Sequence, residues 1–271
     1  MIKTNCELPL TLLSKNVDLN EMDLVLFHLF AENEDYKNYY LNLRKDHPER
    51  TMILDNSGYE FWVRGETLDL KKYSEVIKEL KPNYYILPDT LMDCDKTLIE
   101  AGKFIKEFNF EFSSPMAVIQ GNTEVEMVYC LMKFLQMGVQ AIAIPFHNTF
   151  FKYMKFDLDI IKKFLKEYDT INEDILYAMG RVQFVRNISK ELEDVDYVHF
   201  LGSHCPYEKV FYKNYNSMDT GYPVKCAVCG MNLGQETSKP NKIIDDFFTE
   251  DLDDITKILI ELNVNKFKNY K

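Results

Sequence analysis

Several polar clusters follow directly on apolar runs, and each carries side chains able to do acid–base or recognition chemistry. Residues 52–54 (MIL) lead into Asp55-Asn56-Ser57-Gly58-Tyr59, and residues 84–87 (YYIL) into Pro88-Asp89. The run at 116–120 closes on Gln120-Gly121, the run at 141–146 leads to His147-Asn148, and that at 197–201 to Gly202-Ser203-His204. A further stretch, 216–223, carries Asp219. One carboxylate can attack an anomeric carbon while a second carboxyl moves protons. A further carboxylate and an amide can read a planar base, because Asp accepts from N–H groups and Gln both donates and accepts. Singly, such an aspartate is more often a helix cap or turn residue than a catalytic one. Four such residues at successive run ends point instead to a site.

The elements that would position them are legible. Six apolar runs, at 23–30, 52–54, 84–87, 116–120, 141–146 and 197–201, have the unbroken character of strands buried on both faces, as in a parallel sheet. Between them lie helical periods. Leu70, Tyr73, Ile77 and Leu80 precede a stop at Pro82, and Thr97, Leu98, Ala101, Phe104, Ile105 and Phe108 mark a second helix. Thr123-x-x-Glu126 is a capping box with Gly138 at the far end, and residues 157–168 give another helix. No glycine-rich phosphate loop follows any run, which weighs against a nucleotide-binding open sheet. Eight strand–helix units take about 250 residues, so the length of 271 suits one α/β domain over 1–271, a (β/α)8 barrel of TIM type. Its active-site residues would sit at the carboxyl ends of the strands.

Composition narrows the class. The chain is 46% hydrophobic and 28% charged, with 10 Gly and 9 Pro, a globular balance. No apolar run reaches the roughly 18 residues of a membrane span, and the start lacks the apolar core and cleavage site of a signal peptide. A cytoplasmic protein is expected. The net charge of −11 repels phosphate, so a nucleic-acid substrate needs a locally basic surface. Segment 203–243, with Lys209, Lys213, Lys225, Lys239 and Lys242, is expected to supply it beside the pocket mouth, together with Lys152 and Lys155. Segment 244–262 is acidic and reads as a helix with a solvated face, a dimer surface being the alternative. Of the six cysteines only Cys226-x-x-Cys229 has ligand spacing, and Cys205 and His204 would have to come close to complete a zinc site. Free thiols are the simpler expectation, and no cofactor is expected.

In their order and intervals these clusters resemble the motifs of the tRNA-guanine transglycosylase superfamily. Leu54-Asp55-Asn56-Ser57-Gly58-Tyr59 is similar to its Asp-Ser-Gly-Gly-Tyr/Phe segment, Pro88-Asp89-Thr90 to its Phe/Leu-Asp-Glu segment, and Val118-Ile119-Gln120-Gly121 to its Val-Gln-Gly strand end. Ala141-Ile142-Ala143-Ile144 resembles the strand before a Gly-Gly-Leu turn, and Val198-His199-Phe200-Leu201-Gly202 the Tyr-Leu-Met-Gly strand. Met218-Asp219-Thr220-Gly221-Tyr222-Pro223 is similar to the segment bearing the nucleophile. The resemblance covers about residues 50 to 230.

The resemblance implies a barrel that exchanges guanine in a nucleic acid for a free 7-deazaguanine base. Asp219 would be the nucleophile and Asp55 the proton shuttle. Asp89, Gln120 and Gly121 would read the base edge, with Tyr59 as a wall and Ile144 and Pro145 as further substrate contacts. Lys209, Lys213 and Lys225 would meet the polymer. The departures are Ser57 for a glycine, Pro145-Phe146 for the Gly-Gly turn, where His147 and Asn148 stand as replacement contacts or plain loop residues, and the missing Cys-x-Cys-x-x-Cys zinc motif. Loss of the zinc-bearing insertion, which helps the tRNA enzymes hold their substrate, makes the chain look more like the short branch that modifies DNA, in phages and bacterial modification systems. The alternatives are a tRNA enzyme acting with a partner and a silent barrel that only binds nucleic acid.

Overall fold

The computed structural model describes residues 2–146, 148–234 and 251–270. Its strands are β1 (Lys3–Cys6), β2 (Asp23–Leu26), β3 (Met52–Asp55), β4 (Tyr84–Ile86), β5 (Ser114–Val118), β6 (Ala141–Pro145), β7 (Tyr197–Leu201) and β8 (Ser217–Thr220). All eight are parallel, in the order β1-β8-β7-β6-β5-β4-β3-β2, and form a nearly closed (β/α)8 barrel. The helices are α1 (Asn16–Leu19), α2 (Phe27–Glu32), α3 (Glu34–Asp46), α4 (Gly58–Arg64), α5 (Leu70–Leu80) and α6 (Cys94–Glu107). They continue as α7 (Glu124–Gln136), α8 (Leu158–Glu167), α9 (Glu173–Asn187), α10 (Tyr222–Val228) and α11 (Asp254–Lys268). No helix among the described residues is long and apolar enough to cross a membrane.

Five of the six apolar runs coincide with strands, while the run at 23–30 divides into β2 and α2, both buried. Two strands carry no apolar run at all. β1 and β8 are neighbours, pairing Asn5 with Asp219, and Thr4, Asn5, Ser217, Asp219 and Thr220 are all buried. Their polar side chains hide the strand pattern in the sequence, and parallel pairing within the barrel makes them strands. Of the acidic segment, residues from Asp254 onward lie in α11, whose inner face is packed: Ile260, Val264 and Phe267 are buried. Residues 244–250 lie outside the described residues.

Helix starts are capped by residues other than the strand-end aspartates. Asp69 caps α5 through the N–H groups of Lys71 (3.0 Å) and Lys72 (3.1 Å), Asp93 caps α6 through Lys96 N–H (2.9 Å), and Thr123 caps α7 through Glu126 N–H (3.2 Å). Because the first-turn donors are satisfied there, Asp55, Asp89 and Asp219 are left for other work.

The barrel closes between β1 and β2 by side chains instead of a full ladder. Asn20 accepts from Cys6 N–H through Oδ1 (2.7 Å) and donates from Nδ2 to Cys6 O (2.9 Å), imitating a strand neighbour. Glu21 does the same for Thr4, accepting from its N–H and hydroxyl at 3.0 Å each, and its own N–H donates to Thr4 O (2.9 Å). Replacing Asn20 by Ala strands a buried donor and acceptor, so we expect a loss of roughly 2 to 4 kcal/mol. Urea denaturation of the variant checks this, and an unchanged midpoint would show that the seam does not depend on Asn20.

Candidate active site

A cavity of about 240 Å³ opens at the carboxyl end of the barrel. Each strand or the residues just after it contribute to the wall: Glu7, Leu26, Asp55, Asp89, Gln120, Pro145, Gly202 and Asp219. Tyr59 and Lys225 also line it. The residues that the sequence proposes as catalytic thus converge with most of those proposed to read a base, from strands far apart in the chain.

Asp219 is almost fully buried, 3% exposed, and its Oδ1 is held from two sides. Gly202 N–H donates to it at 3.0 Å, and His199 Nε2 lies at 3.0 Å. His199 Nδ1 is 2.7 Å from Ser217 Oγ, so an Nε2–H tautomer donating to Asp219, with the serine hydroxyl donating to Nδ1, satisfies the whole chain. Asp219 Oδ2 has no hydrogen-bond partner among the described residues. Gly202 supplies its N–H from a left-handed backbone, φ 63°, which favours glycine.

That turn is anchored from below by Arg181 of α9, which is 0% exposed. Its guanidinium donates to Leu201 O (2.9 Å), Gly202 O (2.8 Å) and Ile144 O (3.3 Å), tying the ends of β6 and β7. Glu208, equally buried, neutralises it through Nε (3.1 Å) and a second, shorter bond. Tyr73 of α5 has the same office on the other side, its hydroxyl donating to Ile86 O (2.7 Å) with Leu54 O at 3.2 Å.

Asp55 ends β3. Its Oδ2 accepts from Ser57 N–H at 2.9 Å, a bond made possible by Ser57 adopting φ 58°. A left-handed serine costs energy, and its hydroxyl, 2.9 Å from His28 Nδ1 and 3.2 Å from His28 N–H, offsets the strain. This is the position at which the resembled motif has glycine. Burial pushes the Asp55 carboxyl well above the ordinary range, and the charges of Glu60, Asp219 and Asp89 push the same way. Asp89 accepts Asn56 Nδ2–H on Oδ1 (2.8 Å) and Gln120 Nε2–H on Oδ2 (2.7 Å). Burial raises its pKa, against those two hydrogen bonds, which lower it. Gln120 is in turn oriented by Met92 N–H donating to Oε1 at 2.9 Å.

Glu7 was not evident from the sequence, because the polar strand before it gives no signal. Its N–H donates to Thr220 O (3.1 Å), and its Oε2 would be 3.0 Å from a Cβ at position 221, so a glycine there leaves room for the carboxyl. Burial first, then the charge of Asp219, raise its pKa from 4.5 to about 8, with Lys225 opposing. His199, Arg181 and Asn56 were also missed as site residues. The one hint for Arg181 is a charge set among apolar neighbours in Met179-Gly180-Arg181-Val182.

Other proposed residues lie elsewhere. Gly121 and Ile144 are outside the cavity wall: a Cβ at 121 would stand 2.7 Å from Glu126 Cβ, so this glycine serves the packing of α7, and Ile144 is buried with its carbonyl on Arg181. Asn148 is a structural loop residue, its amide donating to Gly121 O at 2.7 Å, and His147 lies outside the described residues. The expectation for Lys209 is corrected: it is buried, and its ammonium donates to Phe267 O (3.3 Å) and Lys268 O at the end of α11. Lys213 is exposed but stands just before Asn216, whose carbonyl takes Lys3 N–H at the amino end of the barrel, away from the cavity. The physical reason is that the segment after β7 is a return crossover and leaves the rim. Lys152 pairs with Glu173 at 2.8 Å, Lys155 is exposed, and Lys239 and Lys242 lie outside the described residues. Of segment 203–243, Lys225 is the lysine at the cavity among the described residues.

The weak metal candidates do not assemble. Cys205 is buried with its thiol donating to the Tyr168 hydroxyl (3.3 Å), and His204 lies 3.4 Å from Asp174 and stacks on Tyr222. Cys226 is buried and Cys229 half-buried, and no group of three or more His, Cys, Asp or Glu among the described residues is placed to hold a metal ion. Neither a scan against protein-family models nor a search of the curated proteins finds a match to the chain.

Glu7 yields a pH prediction. A carboxyl whose pKa rises from 4.5 unfolded to about 8 folded keeps its proton longer in the folded state. Its contribution is fully present below the unfolded value and is lost as pH rises through the folded one. Glu7→Gln stays neutral throughout, so its thermal midpoint should fall less than that of the wild type between pH 5 and 9. Parallel curves would contradict the assignment.

Proposed function

We propose that the chain is a base-exchanging guanine transglycosylase acting on DNA, with Asp219 as nucleophile. The observation that carries the reading is the convergence in one cavity of three differently prepared groups. Asp219 is oriented through one oxygen with the other unbonded, Asp55 is set to hold a proton, and Asp89 with Gln120 presents an acceptor beside a donor.

Each group has a step. Asp219 Oδ2 attacks C1′ of the target deoxyribose; a C1′–O bond forms as the C1′–N9 bond breaks, and the electron pair leaves on guanine N9. Asp55 gives its proton to the departing base. The incoming 7-deazaguanine then returns a proton to Asp55 as its N9 attacks C1′, and the aspartyl ester bond breaks to restore the Asp219 carboxylate. Holding Oδ1 on Gly202 and His199 turns Oδ2 toward the reaction and disperses the carboxylate charge when it reforms.

A guanine edge offers N1–H and N2–H donors beside the O6 acceptor. Asp89 has a lone pair left on each oxygen after its bonds to Asn56 and Gln120, and Gln120 has a second amide hydrogen. A cavity of about 240 Å³ suits a bicyclic base with part of its sugar, so the nucleoside must leave the stack to enter. DNA is favoured over tRNA because the chain lacks the zinc motif of the tRNA enzymes it resembles.

The test is transfer of isotopically labelled guanine into duplex DNA, single-stranded DNA and tRNA. Wild type should label DNA. Asp219→Ala should reduce exchange at least about a thousandfold, and Asp55→Asn by roughly a hundred- to ten-thousandfold. Exchange into tRNA alone would overturn the DNA assignment, and full activity in Asp219→Ala would overturn the mechanism.

A further inference from the structure

Directly beside the catalytic cavity lies a second, larger one of about 450 Å³. The two share Asn56, Gly58, Asp89 and Leu91 as a common wall. The far side is formed by Trp62 of α4, Leu68 and Leu70, with Lys96 and Lys103 of α6.

Trp62 is unexplained by the fold. It is the single tryptophan of the chain and is 66% exposed, with Tyr59 (46%) as its ring neighbour at 6.1 Å between centroids. An indole left so far in water contributes little to the core, whereas a flat ring at a cavity lip is what an unpaired base stacks on. The charge differs from that of the catalytic cavity as well. There Glu7, Asp55, Glu60, Asp89 and Asp219 face Lys225, and even with Glu7 and Asp55 holding protons the acids outnumber the lysine, a field that repels phosphate. In the second cavity Lys96 and Lys103 stand two turns apart on one helix. The acid between them, Glu100, is occupied by the Thr90 hydroxyl (2.9 Å) and by Lys96 at 3.9 Å, and Lys103 makes no ion pair among the described residues. Glu66 is the other acidic side chain on that side. Two ammonium groups against Glu66 and Glu100 make this side far less acidic than the first cavity, so a phosphodiester leading away from the target nucleoside meets the least repulsion, and two cations to hold it, in this direction.

We propose that the second cavity is the subsite for the nucleotide flanking the exchanged guanosine in an unpaired DNA strand, its base stacked on Trp62 and its phosphate held by Lys96 and Lys103. The proposal rests on the reading of the first cavity as a DNA transglycosylase site. It adds that the enzyme grips its strand through an aromatic platform beside the pocket, in place of the basic segment that the barrel carries away from the rim.

Because Trp62 is the lone tryptophan, its fluorescence reports the subsite directly. The full chain is titrated with a short single-stranded oligodeoxynucleotide containing one guanine, with the matching oligoribonucleotide, and with free guanine. The deoxynucleotide should quench Trp62, and free guanine, which needs only the first cavity, should not. With a dye-labelled deoxynucleotide, Trp62→Ala should weaken binding about tenfold, Trp62→Phe less, and Lys103→Glu should weaken it and flatten its salt dependence. Trp62, two-thirds exposed, and the exposed Lys103 can be changed without touching the core. Unchanged affinity in Trp62→Ala and Lys103→Glu, or no quenching on binding, overturns the subsite, while labelled-guanine exchange into DNA would still uphold the catalytic reading. Quenching by the ribonucleotide alone overturns the DNA assignment of the subsite. Quenching without any exchange leaves the subsite standing and removes the transglycosylase reading.

Discussion

A buried guanidinium holds this site together. Arg181 lies where a charge is expensive, and the cost of removing it from water is offset by Glu208 and by three backbone carbonyls at the ends of two strands. Through Gly202 it governs the N–H that fixes Asp219. The Ser203 hydroxyl bonds to Glu208, and the Thr220 hydroxyl donates to Ser203 O at 2.5 Å, so the strand bearing Asp219 is tied into the same network. One ion pair therefore ties the rim together on the side that carries Asp219.

The opposite side of the cavity depends on rationed protons. Several carboxyls share a small space, and they cannot all ionise without mutual cost. Asp55, Glu7 and Asp89 respond with raised pKa values. What separates them is hydrogen bonding: Asp89 and Asp219 each meet two donors, whereas Asp55 meets one, from Ser57 N–H. The same principle separates the site from the scaffold. Helix ends are capped by Asp69, Asp93 and Thr123, so the strand-end acids are not consumed as caps of these helices.

Much of this was readable in advance. Apolar runs such as Ala141–Pro145 and Tyr197–Leu201, buried on both sides, announce parallel strands, and the polar residue after each run locates the rim. The positions of Asp55, Asp89 and Gln120 at the rim follow from that rule, whereas Asp219 lies within a polar strand and was singled out only as a further acid-bearing stretch. What remained hidden was polar and buried. β1 and β8 carry Thr, Asn, Ser and Asp inward and so have no hydrophobic period, and Glu7 went unnoticed with them. Lys209 looked like a surface charge because lysine usually is one, but α11 folds back and gives its ammonium two terminal carbonyls.

The sequence by itself determined the alternation of strands and helices, and the set of acids at strand ends, because both are written in local periodicity. The tertiary structure alone decided which polar groups answer one another. Arg181 with Gly202, Asn20 with Cys6, and Glu7 with Thr220 are partners distant along the chain. Their bonds form only when barrel closure removes competing water, and no local pattern encodes that.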